Sequence, residues 1–112
     1  MRQGITIAGN MLVDMVKTIS SYPKIGMLSD IYSVQRAVGG CVPNTIIDIA
    51  KMQGGIPLYA AGRMGGDDGG RFICDTLRAH GVDVNAVSVS DKQGETILYD
   101  NIWRFVSYGI CL

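Results

Sequence analysis

The sequence predicts an α/β protein with a parallel sheet flanked by helices, and three observations carry the prediction. Two helix-patterned segments sit between Gly39 and Gly81, a short apolar strand pattern separates them, and glycine-rich turns punctuate the joins. Alternation of strand and helix is the grammar of a parallel sheet, because parallel neighbours need a crossover long enough to hold a helix.

Gly4–Gly9 (GITIAG) is a short β-rich run ending in glycine, fit for a buried parallel strand. Asn10–Ile19 continues it as a second extended piece, with Asn10 and Asp14 set among apolar residues. SSYPKIGMLSD follows with the Ser, Pro, Gly and Asp density of a loop. Residues 31–38 (IYSVQRAV) alternate weakly, as a strand exposed on one face outside the main sheet would. Pro43 stands where a first helical turn tolerates it. Ile46, Ile47 and Ala50 then share one face, and Gly54 and Gly55 end the helix. Ile56–Ala61 (IPLYAA) reads as the next buried strand and Gly62–Gly70 as a turn. Asp67 and Asp68 fall where the positive end of the second helix favours carboxylates. Phe72, Ile73 and Leu77 make the apolar face of that helix, and Gly81 closes it. Residues 82–89 and Thr96–Tyr99 supply the last strand patterns before the tail DNIWRFVSYGICL.

Composition narrows the classes. The chain has 112 residues, 47% of them hydrophobic, with ten basic and ten acidic side chains. This excludes a disordered polymer and removes any electrostatic case for nucleic acid or an anionic membrane. The first residues form neither a signal peptide nor a membrane span, since Asn10 and Asp14 interrupt the apolar run. Three cysteines (Cys41, Cys74 and Cys111) without CxxC spacing point to reduced thiols and a cytoplasmic location, not to a disulfide framework or zinc site.

The glycine-rich turn is a poor phosphate cradle. GRMGGDDGG lacks the glycine spacing of a dinucleotide fingerprint. Gly65–Arg71 mimics a P-loop but has arginine for lysine and Phe72 where a hydroxyl should hold magnesium. Two carboxylates in the loop would also repel a phosphate. His80, the single histidine, reads as a cation in a last helical turn. A small buried hydrophobe is the default for Cys41.

The combined spacing carries a likeness. Gly39-Gly40-x-x-x-Asn44, then Gly62-x-x-Gly65-x-Asp67-x-x-Gly70, then Leu77-x-x-x-Gly81-Val82, resembles the N-terminal signature of the ribokinase/PfkB family of carbohydrate kinases. Gly9-x-x-x-x-Asp14 is similar to the family's first strand, where an aspartate reaches the sugar. The likeness covers roughly residues 4–100. It implies a partial ribokinase-like domain over 1–112, with a small β lid built from about 14–19, 31–38 and 96–102. It implies Asp14, Gly40 and Asn44 as sugar-contacting residues, with no catalytic or metal-binding residue in this chain. A polyol needs such a carboxylate and amide to pair its hydroxyls, and a site so built rejects analogues lacking them. By bare residue chemistry, Asp14 also suits a turn cap, Asn44 a helix cap, and the glycine pair a purely conformational need.

Members of the family transfer the γ-phosphoryl of ATP, with Mg2+, to a sugar or nucleoside hydroxymethyl, and the lid often mediates dimerisation. Two positions depart from some members: Leu12 and Cys41 stand where those carry asparagine and lysine, which points away from ribose. The family's D-T-x-G-A-G-D run, with its catalytic aspartate and anion-binding helix start, does not occur in these 112 residues. The expectation is therefore part of a sugar or nucleoside kinase that holds no ATP or Mg2+ tightly and is inert alone, with marginal stability or homodimer-like self-association through the lid or a sheet edge. Two readings compete with it: a non-catalytic module pairing through its lid strands or open sheet edge, and a small nucleotide-binding protein, which the failed loop spacing opposes. The tail after Asn101 matches no family feature.

Overall fold

The computed structural model describes residues 3–52, 54–91 and 97–103. The chain runs β1 (Ile5–Ala8), β2 (Leu12–Ile19), β3 (Ile31–Gly39), α1 (Cys41–Lys51), β4 (Leu58–Gly65), α2 (Asp68–Ala79), β5 (Asp83–Ser90) and β6 (Ile97–Trp103). Two three-stranded sheets result, in the orders β1-β4-β5 and β3-β2-β6.

The first sheet is wholly parallel: Ile5 pairs with Leu58 and Ala8 with Ala61, while Arg63 pairs with Ser88. Crossovers in parallel sheets are right-handed, and here both step the same way across the sheet. That places α1 and α2 on one face, and the burial pattern agrees. Leu58, Ala60 and Met64 of β4 join Val42, Ile46, Ile73 and Leu77 of the helices in one core cluster. The alternate residues of β4, Tyr59 and Arg63, remain exposed on the opposite face. The helices therefore flank the sheet on one side among the described residues.

The second sheet is mixed. β2 runs antiparallel to β3 and parallel to β6, with Asp14 opposite Ala37 and in register with Tyr99. Its inner face packs on the body through Val13, which is fully buried, with Met15 and Val38 against the same cluster. At its far end Tyr22, Ile25, Met27, Leu28 and Tyr32 are exposed, while Ile19 is buried. The radius of gyration, 16.2 Å, exceeds the ~13 Å of a compact chain of this length, as a projecting sheet requires.

Several expectations need correction. Asn10–Ile19 does not extend the main sheet as bare patterning has it: the chain bends at Gly9 (φ 153°) and restarts at Leu12 in a second sheet with β3 and β6, the segments that the resemblance sets apart as a lid. Ile56 and Pro57 precede β4, and β4 runs on through Gly65, so the turn shrinks to Gly66 and Asp67. Gly62 is there for close approach: a Cβ would stand 2.6 Å from the Gly9 carbonyl oxygen and 2.5 Å from the Met11 methyl. Helix α1 starts at Cys41, ahead of Pro43. Asp67 is the N-cap of α2, accepting the Gly70 N–H at 2.8 Å, which spares one of the four orphan donors of a helix start. Thr96, Phe105 and Cys111 lie outside the described residues.

Cys74 is buried, and its desolvation pushes the thiol above its usual value, opposed by the nearby Arg78 and reinforced by Asp75. No described helix is long and apolar enough to cross a membrane.

Candidate functional site

Four segments meet beyond the carboxyl end of β1: the bend Gly9–Met11, the first residues of β2, the end of β3 and the start of α1. In open α/β sheets ligands bind outside the carboxyl ends of the strands, so this is where a site is expected.

The bend fixes the geometry. Gly40, the N-cap of α1, has φ 94° and ψ 170° and offers no side chain to cap the helix. Asn10 caps it from across the fold. Its Oδ1 accepts the Cys41 N–H at 3.0 Å, and its carbonyl accepts the Val42 N–H at 3.3 Å. Pro43 has no N–H, and the Asn44 N–H already bonds the Gly40 carbonyl at 3.2 Å. Every donor of the first turn is thus spent or missing, so the start of α1 is no anion site despite its dipole. The start of α2 is closed to anions as well, by the carboxylates of Asp67 and Asp68.

Asp14 is the carboxylate of the site. It is half-buried on β2, on the strand face opposite Val13, and its Oδ2 lies directly against Gly39. A Cβ at Gly39 would come within 2.5 Å of that oxygen. A Cβ at Gly40 would come within 2.7 Å of the Asn10 carbonyl oxygen. The glycine pair therefore lets a charged strand residue, a backbone bend and a helix start share one space. Ionised, Asp14 only accepts hydrogen bonds, which matches it to hydroxyl donors.

No family model matches the chain. Among curated proteins it is 33% identical to fructokinase-1 of Oryza sativa subsp. japonica over 90 residues, 80% of this chain and 26% of that one. It is 31% identical to fructokinase-1 of Zea mays over 97 residues, 87% of this chain and 28% of that one. Among solved structures, Arabidopsis thaliana ribokinase complexed with ribose and ATP superposes with a TM-score of 0.74 at 27% identity, covering 91% of this chain and 32% of that one. The nucleoside kinase of Methanocaldococcus jannaschii gives a TM-score of 0.72 at 20% identity, covering 90% of this chain and 33% of that one. The chain is thus similar to carbohydrate kinases of the ribokinase/PfkB family over part of their length. It spans about a quarter of the length of the curated relatives it matches, and its fold is correspondingly a part of the ribokinase-like one.

Within this family frame the three anticipated residues are placed as follows. Asp14 and the glycine pair come together through the contact at Gly39. Asn44 lies one helical turn into α1, with an exposed side chain, and it does not cap the helix. Capping falls to Asn10, which local sequence reasoning overlooked because its partner is 31 positions away. The polar Asn10 right after a strand-ending glycine was the available signal. Cys41 is exposed, with Sγ 3.8 Å from the Asn10 carbonyl oxygen, so it is not the buried hydrophobe expected. An open apolar hollow of about 480 Å³, lined by Ile5, Ile49, Met52, Ile56, Leu58 and His80, lies at the amino ends of β1 and β4. It lies at the opposite end of the strands from Asp14 and the glycine pair, and His80 is the one polar ring in its lining.

Proposed function

We propose that these residues form the carbohydrate-binding side of an ATP-dependent sugar kinase, with β2, β3 and β6 as a lid over the sugar. Asp14 accepts from the sugar hydroxyls, Gly40 leaves room for the ring beside the helix start, and Asn44 supplies an amide from the first turn of α1. The observation that carries the reading is the Asp14 carboxylate resting against Gly39, next to the start of α1 and beyond the carboxyl end of β1. Both helix starts are closed to anions, which supports placing ATP, Mg2+ and the catalytic base on residues outside these 112. The chain alone is accordingly inactive, since phosphoryl transfer rests on positioning and charge stabilisation at the phosphates. Reduced thiols and ATP both fit a cytoplasmic location.

The fructokinase relatives make D-fructose the first sugar to test. Calorimetric titration is expected to show fructose binding, with affinity falling by about one to two orders of magnitude in Asp14→Asn, the cost of a lost charged hydrogen bond. ATP and Mg2+ should yield no sugar phosphate. Equal affinity in the variant whose circular dichroism matches the parent would sink the assignment of Asp14.

A second observation favours homodimerisation. Ile25 and Leu28 at the far end of the lid hairpin are essentially fully exposed, and Tyr32 is 69% exposed on the outer strand β3. Exposed apolar side chains beside a strand edge that is unpaired among the described residues are a template for another chain. Light scattering on the eluted chain should give twice the monomer mass, and Leu28→Lys with Tyr32→Lys should restore the monomer. If the chain pairs yet binds no sugar, a non-catalytic interaction module becomes the better account.

A further inference from the structure

Arg36 is the polar contact that ties β3 to the body of the fold. Its guanidinium forms an ion pair with Asp68 in the first turn of α2 and lies 4.4 Å from the centroid of the Phe72 ring on the next turn. Across the sheet its register partner is Met15, the neighbour of Asp14. The surrounding contacts between this sheet and the body, through Val13, Met15 and Val38, are apolar. Such contacts are non-directional and allow one layer to rock or slide on another. A planar guanidinium held by a carboxylate at one edge and a ring at its face has a defined orientation, which a lysine ammonium cannot reproduce.

We infer that Arg36 is a positioning residue that seats the second sheet on α2 and thereby sets where Asp14 stands relative to the start of α1. Its significance for ligand binding rests on the sugar-site reading above, but the seating itself does not. Asp68 also has Arg71 within 3.9 Å, so removing Arg36 leaves the carboxylate with a cation and isolates the loss of the clamp. Both clamp partners are accessible to solvent, with Arg36 39% and Asp68 72% exposed at the side chain. The ionic half is therefore screened by salt while the ring contact persists.

The test is amide hydrogen exchange on the whole chain, comparing the parent with Arg36→Lys, Arg36→Ala and Asp68→Asn. Residues 12–19 and 31–39 are expected to exchange roughly five- to tenfold faster in Arg36→Ala, the combined worth of an exposed ion pair and a ring contact. Exchange in α1 and β4 should stay at parent rates. Arg36→Lys and Asp68→Asn should fall between, and they serve if the alanine variant does not fold. Unchanged exchange in β2 and β3, or a rise shared equally by β4, would overturn the proposal. Fructose affinity should fall with the faster exchange. Faster exchange at unchanged affinity would overturn the link to Asp14, whereas a parent that binds no fructose would refute the sugar site and leave the exchange result standing.

Discussion

Gly40→Ala is expected to lower the stability of the chain by about 3 kcal/mol, combining backbone strain with overpacking. Gly40 has φ 94° and ψ 170°, a region that only glycine occupies readily. The added methyl would also meet backbone, not a yielding side-chain tip: the Asn10 carbonyl oxygen at 2.7 Å and the Met11 Cα at 3.2 Å. Relief would require opening the bend that caps α1, so the clash and the cap fail together. Gly26→Ala is the control, because Gly26 has φ 79° with nothing within 4 Å of the added carbon. It should cost about 1 kcal/mol, the strain alone. Denaturant midpoints at unchanged slope measure both. Equal losses in the two variants would show that the bend accommodates a side chain and that the close approach at Asn10 is soft.

Leu77→Ala should cost about 3 kcal/mol, within the range for emptying a core leucine site. Leu77 has no exposed surface, and it lies with Ile73 and Cys74 on the face of α2 that meets the sheet. Its carbonyl further accepts the N–H groups of His80 and Val82, at 3.0 and 3.1 Å, where the helix turns into β5. The cavity would therefore form at the joint between helix and strand, where collapse is limited by the backbone. Met52→Ala, at a residue 77% exposed, is the matched comparison and should change stability by less than about 0.5 kcal/mol. A natural domain is stable by only about 5–15 kcal/mol, and this chain leaves the Tyr59–Arg63 face of its parallel sheet without a described helix. Loss of the cooperative transition in Leu77→Ala is thus an expected outcome at room temperature. A midpoint like that of Met52→Ala would mean that α2 is not seated on the sheet as described.

The contrast between what the sequence made legible and what it hid follows the range of the interactions. The face of α1 was readable from Ile46 and Ile47, and that of α2 from Ile73 and Leu77, because helical periodicity is written within one or two turns. Asp67 was readable as a helix start because its partner, Gly70, is three residues on. Asp14 stood out as a carboxylate in an apolar strand, and the family resemblance implied the role proposed for it above. The length of β4 was misjudged because glycine most often marks a turn, whereas Gly62 answers to Gly9 and Met11, some fifty positions earlier. The same holds for Asn10 and Cys41, and for Arg36 and Asp68, which only the folded chain brings together. Bare patterning did not separate β2 from the main sheet, since it carries the apolar content of a core strand although half of it faces the body and half faces away; only the family resemblance set 14–19, 31–38 and 96–102 apart as a lid.

The contact between Gly40 and the Asn10–Met11 backbone has a meaning beyond the stability of one bend. The chain departs from the α/β body at Met11 and returns to it at Gly39, with departure and return touching. Everything from Met11 to Gly39 is thus a chain excursion whose two ends meet, held to the body besides by Val13, Met15, Val38 and the Arg36 contact, while the sheet order β1-β4-β5 is built without it. Such an arrangement lets the hairpin vary in length without shifting the register of β1, β4 and β5, none of which pairs with it. It also confines the cost of that freedom to one place, since a body that lost the hairpin would lose Asp14 with it.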